Sequence, residues 1–70
     1  MNSAEKIRVL LAYRNMNMRE VAKRMHISQQ SLSHKMLKNS FKEDELTEIA
    51  EICNATFEGV FTLNDTKKRI

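Results

Sequence analysis

The 70-residue chain has no proline, no tryptophan, one glycine (Gly59), one tyrosine and one cysteine (Cys53). Proline and glycine punctuate loops and force tight turns, so their scarcity favours long regular elements. A single cysteine excludes an intrachain disulfide, and a lone thiol suits a reducing compartment. Cys53 lies in an apolar helical pattern and reads as a small buried hydrophobe. Cys53 with His26 and His34 does not make a closed metal site, so no metal and no cofactor is expected. No apolar run approaches the ~20 residues that span a bilayer. The start does not read as a signal peptide, because Ser3 to Lys6 is polar and Arg8 interrupts Ile7 to Tyr13. We therefore expect a soluble, cytoplasmic protein without a membrane partner. No catalytic constellation is present: Glu43, Asp44 and Glu45 are consecutive and diverge around a helix, and no glycines form a cleft. We expect no enzyme, and no small-molecule ligand is evident.

What the chain does have is charge, unevenly placed. Twelve Lys/Arg against nine Asp/Glu give +3 overall. Residues 1–42 hold nine Lys/Arg and two acids (Glu5, Glu20), while residues 43–66 hold seven acids and no Lys/Arg. Lys67, Lys68 and Arg69 follow. The modest net charge hides a strong dipole, and its basic front suits a polyanion.

The apolar pattern is helical over most of the length. Ala4, Ile7, Leu10 and Leu11 form one stripe, which predicts a helix over about residues 3–14, capped by Asn2 or Ser3 and stopped near Asn15. Met18, Val21, Ala22 and Met25 predict a second over about 18–25; Asn17 with Glu20 reads as a capping box with Asn in place of Ser/Thr. Ser28 caps a third over about 28–37, packed through Leu32 and Met36, with Ile27 plugging the corner between. A fourth runs over about 42–53, with Leu46, Ile49, Ala50 and Cys53 inward and acids crowding its first turn. Ser40 with Glu43 satisfies a capping pattern, although the start can lie a residue or two later. The pattern then changes. ATFEGVFTL alternates as a strand with Phe57, Phe61 and Leu63 on one side, Asn64-Asp65 signals a turn, and Lys67 to Ile70 can return as a second strand. We expect one mainly α domain over residues 1–70: four helices and a C-terminal β-hairpin over about 55–70. So short a chain has a marginal core and needs a partner or a staple.

Residues 28–39, SQQSLSHKMLKN, carry many hydrogen-bonding side chains and no acid. Two short helices joined by two or three residues make a sharp corner, the helix-turn-helix arrangement. With Leu32 and Met36 inward, Gln30, Ser33, His34 and Leu37 point away, with Gln29 at the flank. Such a face fits the major groove: glutamine pairs bidentately with adenine, and serine and histidine serve other base edges. Ser28, Gln29 and Gln30 stand at a helix N-terminus that favours phosphate. Lys35, Lys38, Asn39 and Ser40 follow it, and Asn17 and Arg19 open the second helix; all six are candidates to grip the backbone. The acids of residues 43–51 must then face away. His26, the methionines and Ser28 also have structural readings, as corner, core filler and cap.

AxxMxISQQSLSHKM, Ala22 to Met36, resembles the helix-turn-helix of the phage Cro and lambda-repressor-like family. LSHKMLKNSFKEDELTEIAEICNATFEGVFTLND resembles a subgroup of small bacterial and mobile-element regulators whose fourth helix leads into a C-terminal β-segment. The resemblance covers residues 5–53, with a looser match in the tail. It implies base contacts from Gln29, Gln30, Ser33 and His34 and phosphate contacts from Ser31, Lys35, Lys38 and Asn39. Three positions depart from the family pattern: His26 stands where glycine is usual, Met18 where a phosphate-binding glutamine often begins the second helix, and Leu37 at a usually polar site. Leu37 can touch a thymine methyl or cover the corner.

The expectation is a sequence-specific regulator of transcription, a repressor in the bacterial cytoplasm at the nucleoid, bound to double-stranded DNA. One module reads few bases, and the resemblance implies a homodimer. Pairing Phe57, Val60, Phe61 and Leu63 across a two-fold axis would bury them and space two reading helices one DNA turn apart on an inverted repeat. The rival is a protein-interaction module, an antirepressor or inhibitor that uses the helix-turn-helix as scaffold.

Overall fold

The computed structural model describes all 70 residues. Four helices follow one another: α1 (Ser3–Arg14), α2 (Met18–Arg24), α3 (Gln29–Lys38) and α4 (Glu43–Ile52). Two short strands, β1 (Ala55–Phe57) and β2 (Phe61–Leu63), pair antiparallel with Ala55 opposite Leu63 and Phe57 opposite Phe61.

Each start is capped as its sequence allows. Asn2 Oδ1 accepts from Glu5 N at 2.9 Å while Asn2 N donates to Glu5 Oε1, a reciprocal box. Asn17 Oδ1 accepts from Glu20 N at 2.8 Å, but Glu20 does not reach back; its carboxylate pairs with Arg24 at 2.9 Å. The expected box is therefore half made. Ser28 Oγ accepts from Ser31 N at 3.0 Å. The fourth helix starts at the later of the expected points: its flanking residue is Lys42, whose backbone N–H donates to Glu45 Oε1 at 2.8 Å.

The helix ends answer the shortage of glycine. Closing a helix in a Schellman motif requires a residue with positive φ, normally glycine. Here Asn15 (φ 53°), His26 (φ 61°) and Asn39 (φ 50°) take that conformation. The paired closing bonds are present at all three: Met16 N to Leu11 O with Asn15 N to Ala12 O, Ile27 N to Ala22 O with His26 N to Lys23 O, and Ser40 N to Lys35 O with Asn39 N to Met36 O. Asn54 (φ 53°) follows α4 in the same conformation. The one glycine, Gly59 (φ 79°), lies in the hairpin loop, where an added Cβ would meet no neighbour.

One contiguous core draws on every element. Ile7, Leu10, Val21, Leu32, Ile49, Cys53, Phe61 and Leu63 are its most deeply buried side chains. No polar side chain is buried, so the core holds no unsatisfied hydrogen-bonding group. Ile27 packs against it from the corner, as do Met16 and Met18.

The expected C-terminal hairpin is present, but its strands are divided differently from the sequence reading. The run over residues 55–63 is two strands, with the reversal at Glu58-Gly59-Val60, where Glu58 N donates to Val60 O at 2.9 Å. Lys67 to Ile70 returns as a third line along β2, through an isolated bridge of Thr62 with Arg69 and reciprocal bonds between Phe61 and Ile70. The proposed dimer surface changes with it. Phe61 is 0% and Leu63 1% exposed, because both belong to the protein's own core. Neither is available to a second copy; of the four residues expected to pair, only Phe57 and Val60 stay partly exposed.

A clamp that sequence reading missed holds this segment down. Arg14 Nε donates to Cys53 O at 2.7 Å, and its Nη2 donates to Asn54 O at 2.9 Å. The same guanidinium makes two bonds to the Asp65 carboxylate, at 2.9 and 2.8 Å. One side chain thus satisfies the end of α4 and ties it to the turn after β2. The Arg14 guanidinium, with the Thr66 N–H, holds the Asp65 carboxyl well below the usual carboxylate range.

Candidate nucleic-acid interface

The corner of α2 and α3 is built by Met25 to Ser28. Val21, Ala22 and Leu32 are buried on its inner side, which fixes the angle of α3. With Leu32 and Met36 inward, Gln29, Gln30, Ser33, His34, Leu37 and Lys38 are all exposed. Of these, the four base-contact candidates Gln29, Gln30, Ser33 and His34 make no side-chain hydrogen bond or ion pair within the chain. Their donors and acceptors are free for an external partner. Ser28, Gln30, Ser31, Ser33, His34 and Leu37 line a shallow, open hollow along this face.

The candidates for phosphate separate into free and committed groups. Arg19, Lys38 and Ser40 are exposed, and their side chains have no partner in the chain. Asn17 is exposed; its Oδ1 is spent on the cap, which leaves its amide N–H₂ to donate outward. Ser28 caps α3 and donates to Ser31 Oγ at 2.8 Å, so the Ser31 hydroxyl hydrogen is the one that points onward. Lys35 and Asn39 are held by other partners. Lys35 Nζ pairs with Glu45 Oε2 at 2.8 Å, a link from α3 to α4 that pulls the Glu45 carboxyl below its ordinary range. Asn39 Oδ1 accepts from Ala4 N at 2.9 Å, so it caps the start of α1 from the end of α3. The sequence put both on the phosphate backbone. In the structure each also ties α3 to another helix, Lys35 to α4 and Asn39 to α1, while the Asn39 amide N–H₂ stays free to donate, as at Asn17.

Arg8 was not among the sequence candidates. It is exposed on α1 and lines a second hollow with Asn17 and Ser33, over a floor that includes Leu11, Met16 and Met36. Ser33 belongs to both hollows. Arg8 of α1 and Asn17 before α2 therefore stand around a hollow that adjoins the polar face of α3 at Ser33. The helical wheel places Arg8 beside Leu11 and Ala4 at the edge of the buried stripe. Which element lies over that edge is a tertiary fact.

The remaining chemistry is sparse. Cys53 is buried against Met16, Sγ to Sδ 3.9 Å, and burial pushes its thiol up to about 11. It is a protonated packing group. No helix is long and apolar enough to cross a membrane.

A comparison with protein families adds one finding. The family model for the Cro/C1-type HTH DNA-binding domain matches residues 6–57, which takes in α2 to α4, β1 and all but the first residues of α1. Neither the curated proteins nor the solved structures gave a match. The matched stretch contains the capped corner, the inward Leu32 and Met36 and the unpartnered polar face of α3. The chain belongs to the Cro/C1-type helix-turn-helix DNA-binding family.

Proposed function

We propose that this chain is a sequence-specific transcriptional repressor that binds an inverted-repeat operator as a homodimer in the bacterial cytoplasm. One observation carries the reading of sequence: the outward face of α3 offers Gln29, Gln30, Ser33 and His34 without internal partners, on a helix fixed by its neighbours. Polar side chains of this kind discriminate base edges in the major groove. Arg8, Asn17, Arg19, Lys38 and Ser40 position the duplex; Ser28 and Ser31 add the N-terminus of α3. The function needs neither a cofactor nor catalysis.

The dimer follows from reach. A ten-residue helix is about 15 Å long, which spans roughly four base pairs. So few base pairs do not single out an operator among the sites of a genome. A two-fold pair with its reading helices about 34 Å apart doubles the sequence read. With Phe61 and Leu63 inside the chain, Phe57 and Val60 at the hairpin are the residues we assign to pairing.

The test is selection of duplexes from a random library, then anisotropy titration of the enriched and a scrambled duplex across a salt series. At physiological salt we expect at least ~10³-fold preference for the enriched site. Affinity should fall steeply with salt as counterions are released. Weak, equal binding to both would overturn the reading and favour the protein-interaction module.

A further inference from the structure

Leu37 is 82% exposed, the most exposed large hydrophobic side chain of the protein. An aliphatic side chain so placed covers nothing in its own fold, which removes the corner-covering role. It lies in the last turn of α3, at helical spacing from Gln30, Ser33 and His34, and it lines the same hollow as they do. We propose that Leu37 is a specificity residue that reads the C5 methyl of a thymine. This rests on the DNA-binding reading above and extends it beyond the base pair assigned to Gln30.

Three points support this. The first is reach: seven residues of α-helix advance about 10.5 Å, roughly three base-pair rises, so Leu37 meets a different base pair from Gln30 when the axis follows the groove. The second is chemistry: in the major groove thymine alone presents a methyl group, and apolar side chains contact it. The third is setting. Lys38, free and exposed, is the next residue, so the phosphate backbone and the leucine are engaged together. A protein docking site would need a wider apolar surface, and the hollow around Leu37 is otherwise polar: two serines of the α3 entry, Gln30, Ser33 and His34.

The experiment uses the full chain and its selected duplex. Each thymine is replaced in turn by deoxyuridine, which removes only the methyl group. Wild type and Leu37→Ala are titrated against every duplex, and both are sized by sedimentation. We expect one thymine, about three base pairs from the position governed by Gln30, at which wild type loses about fourfold, the worth of one buried methyl-sized group. At that thymine Leu37→Ala should lose nothing further, since the variant already lacks the contact. Thymine replacements that cost both proteins equally would overturn the proposal while leaving sequence-specific binding intact. So would a Leu37→Ala variant that binds as wild type, or one whose only change is its oligomeric state. Failure to enrich any sequence would remove both the operator function and this inference.

Discussion

His26 holds a backbone conformation that an L-residue adopts at a cost of roughly 1–2 kcal/mol, and that glycine adopts freely. It does so because the corner needs a left-handed residue and the chain spends its only glycine in the hairpin. His26→Val should therefore lower stability by about 1–2 kcal/mol in urea unfolding, since a β-branched residue is worst there. His26→Gly should leave stability unchanged or raise it by up to about 1 kcal/mol, as relief of strain outweighs the added freedom of the unfolded chain. The polar face makes a second contrast. Gln30→Ala should cost about 1–3 kcal/mol on the operator and relax preference at one position, whereas Lys38→Ala and Arg8→Ala should weaken operator and random duplex alike and flatten the salt slope. Equal losses on both duplexes for all three variants would remove Gln30 from base reading.

The helices were legible because their signals are local. Apolar residues three and four apart in all four helices, Asn or Ser three residues before an amide at the starts of α1 to α3, and Asn after α1, α3 and α4 determine the helices within a residue or two. The C-terminal hairpin was legible too, but the place of its reversal was not, because Phe57, Phe61 and Leu63 keep an alternating appearance straight through the loop at Gly59. The face of α3 could be read from its spacing; the fate of Lys35 and Asn39 could not, since their partners Glu45 and Ala4 come from other helices. Arg14 is the extreme case, with its carboxylate partner 51 residues away. Its clamp predicts a pH effect. Asp65 is held below its ordinary value, so the pair stabilises the fold above about pH 4 and stops doing so as pH falls toward the folded value. The gap in melting temperature between wild type and Asp65→Asn should be present at pH 7 and shrink steadily below pH 4. Arg14→Ala should melt lower than Asp65→Asn at neutral pH, because it also strips Cys53 O and Asn54 O of their donor.

Charge and assembly belong to the protein taken entire. Three cations of the basic half are neutralised internally, Arg14 by Asp65, Arg24 by Glu20 and Lys35 by Glu45. Those left free include Arg8, Arg19 and Lys38, beside the polar face of α3. The burial of Phe61 separates folding from pairing. Phe61→Ala should cost about 3–5 kcal/mol and unfold much of the population. Val60→Asp, at the partly exposed hairpin loop, should keep the helical circular dichroism and abolish paired occupancy of an inverted repeat in gel shift. Retained pairing by Val60→Asp would move the interface elsewhere. The Asn39 strut has a consequence for time as well as place. Its side chain joins the end of α3 to the start of α1, so on the proposed function α3 meets DNA with its C-terminal end already tied down. Docking then needs no ordering of that end. Substituting Asn39 by Ala should slow association, leaving a helix that must be caught in the right pose.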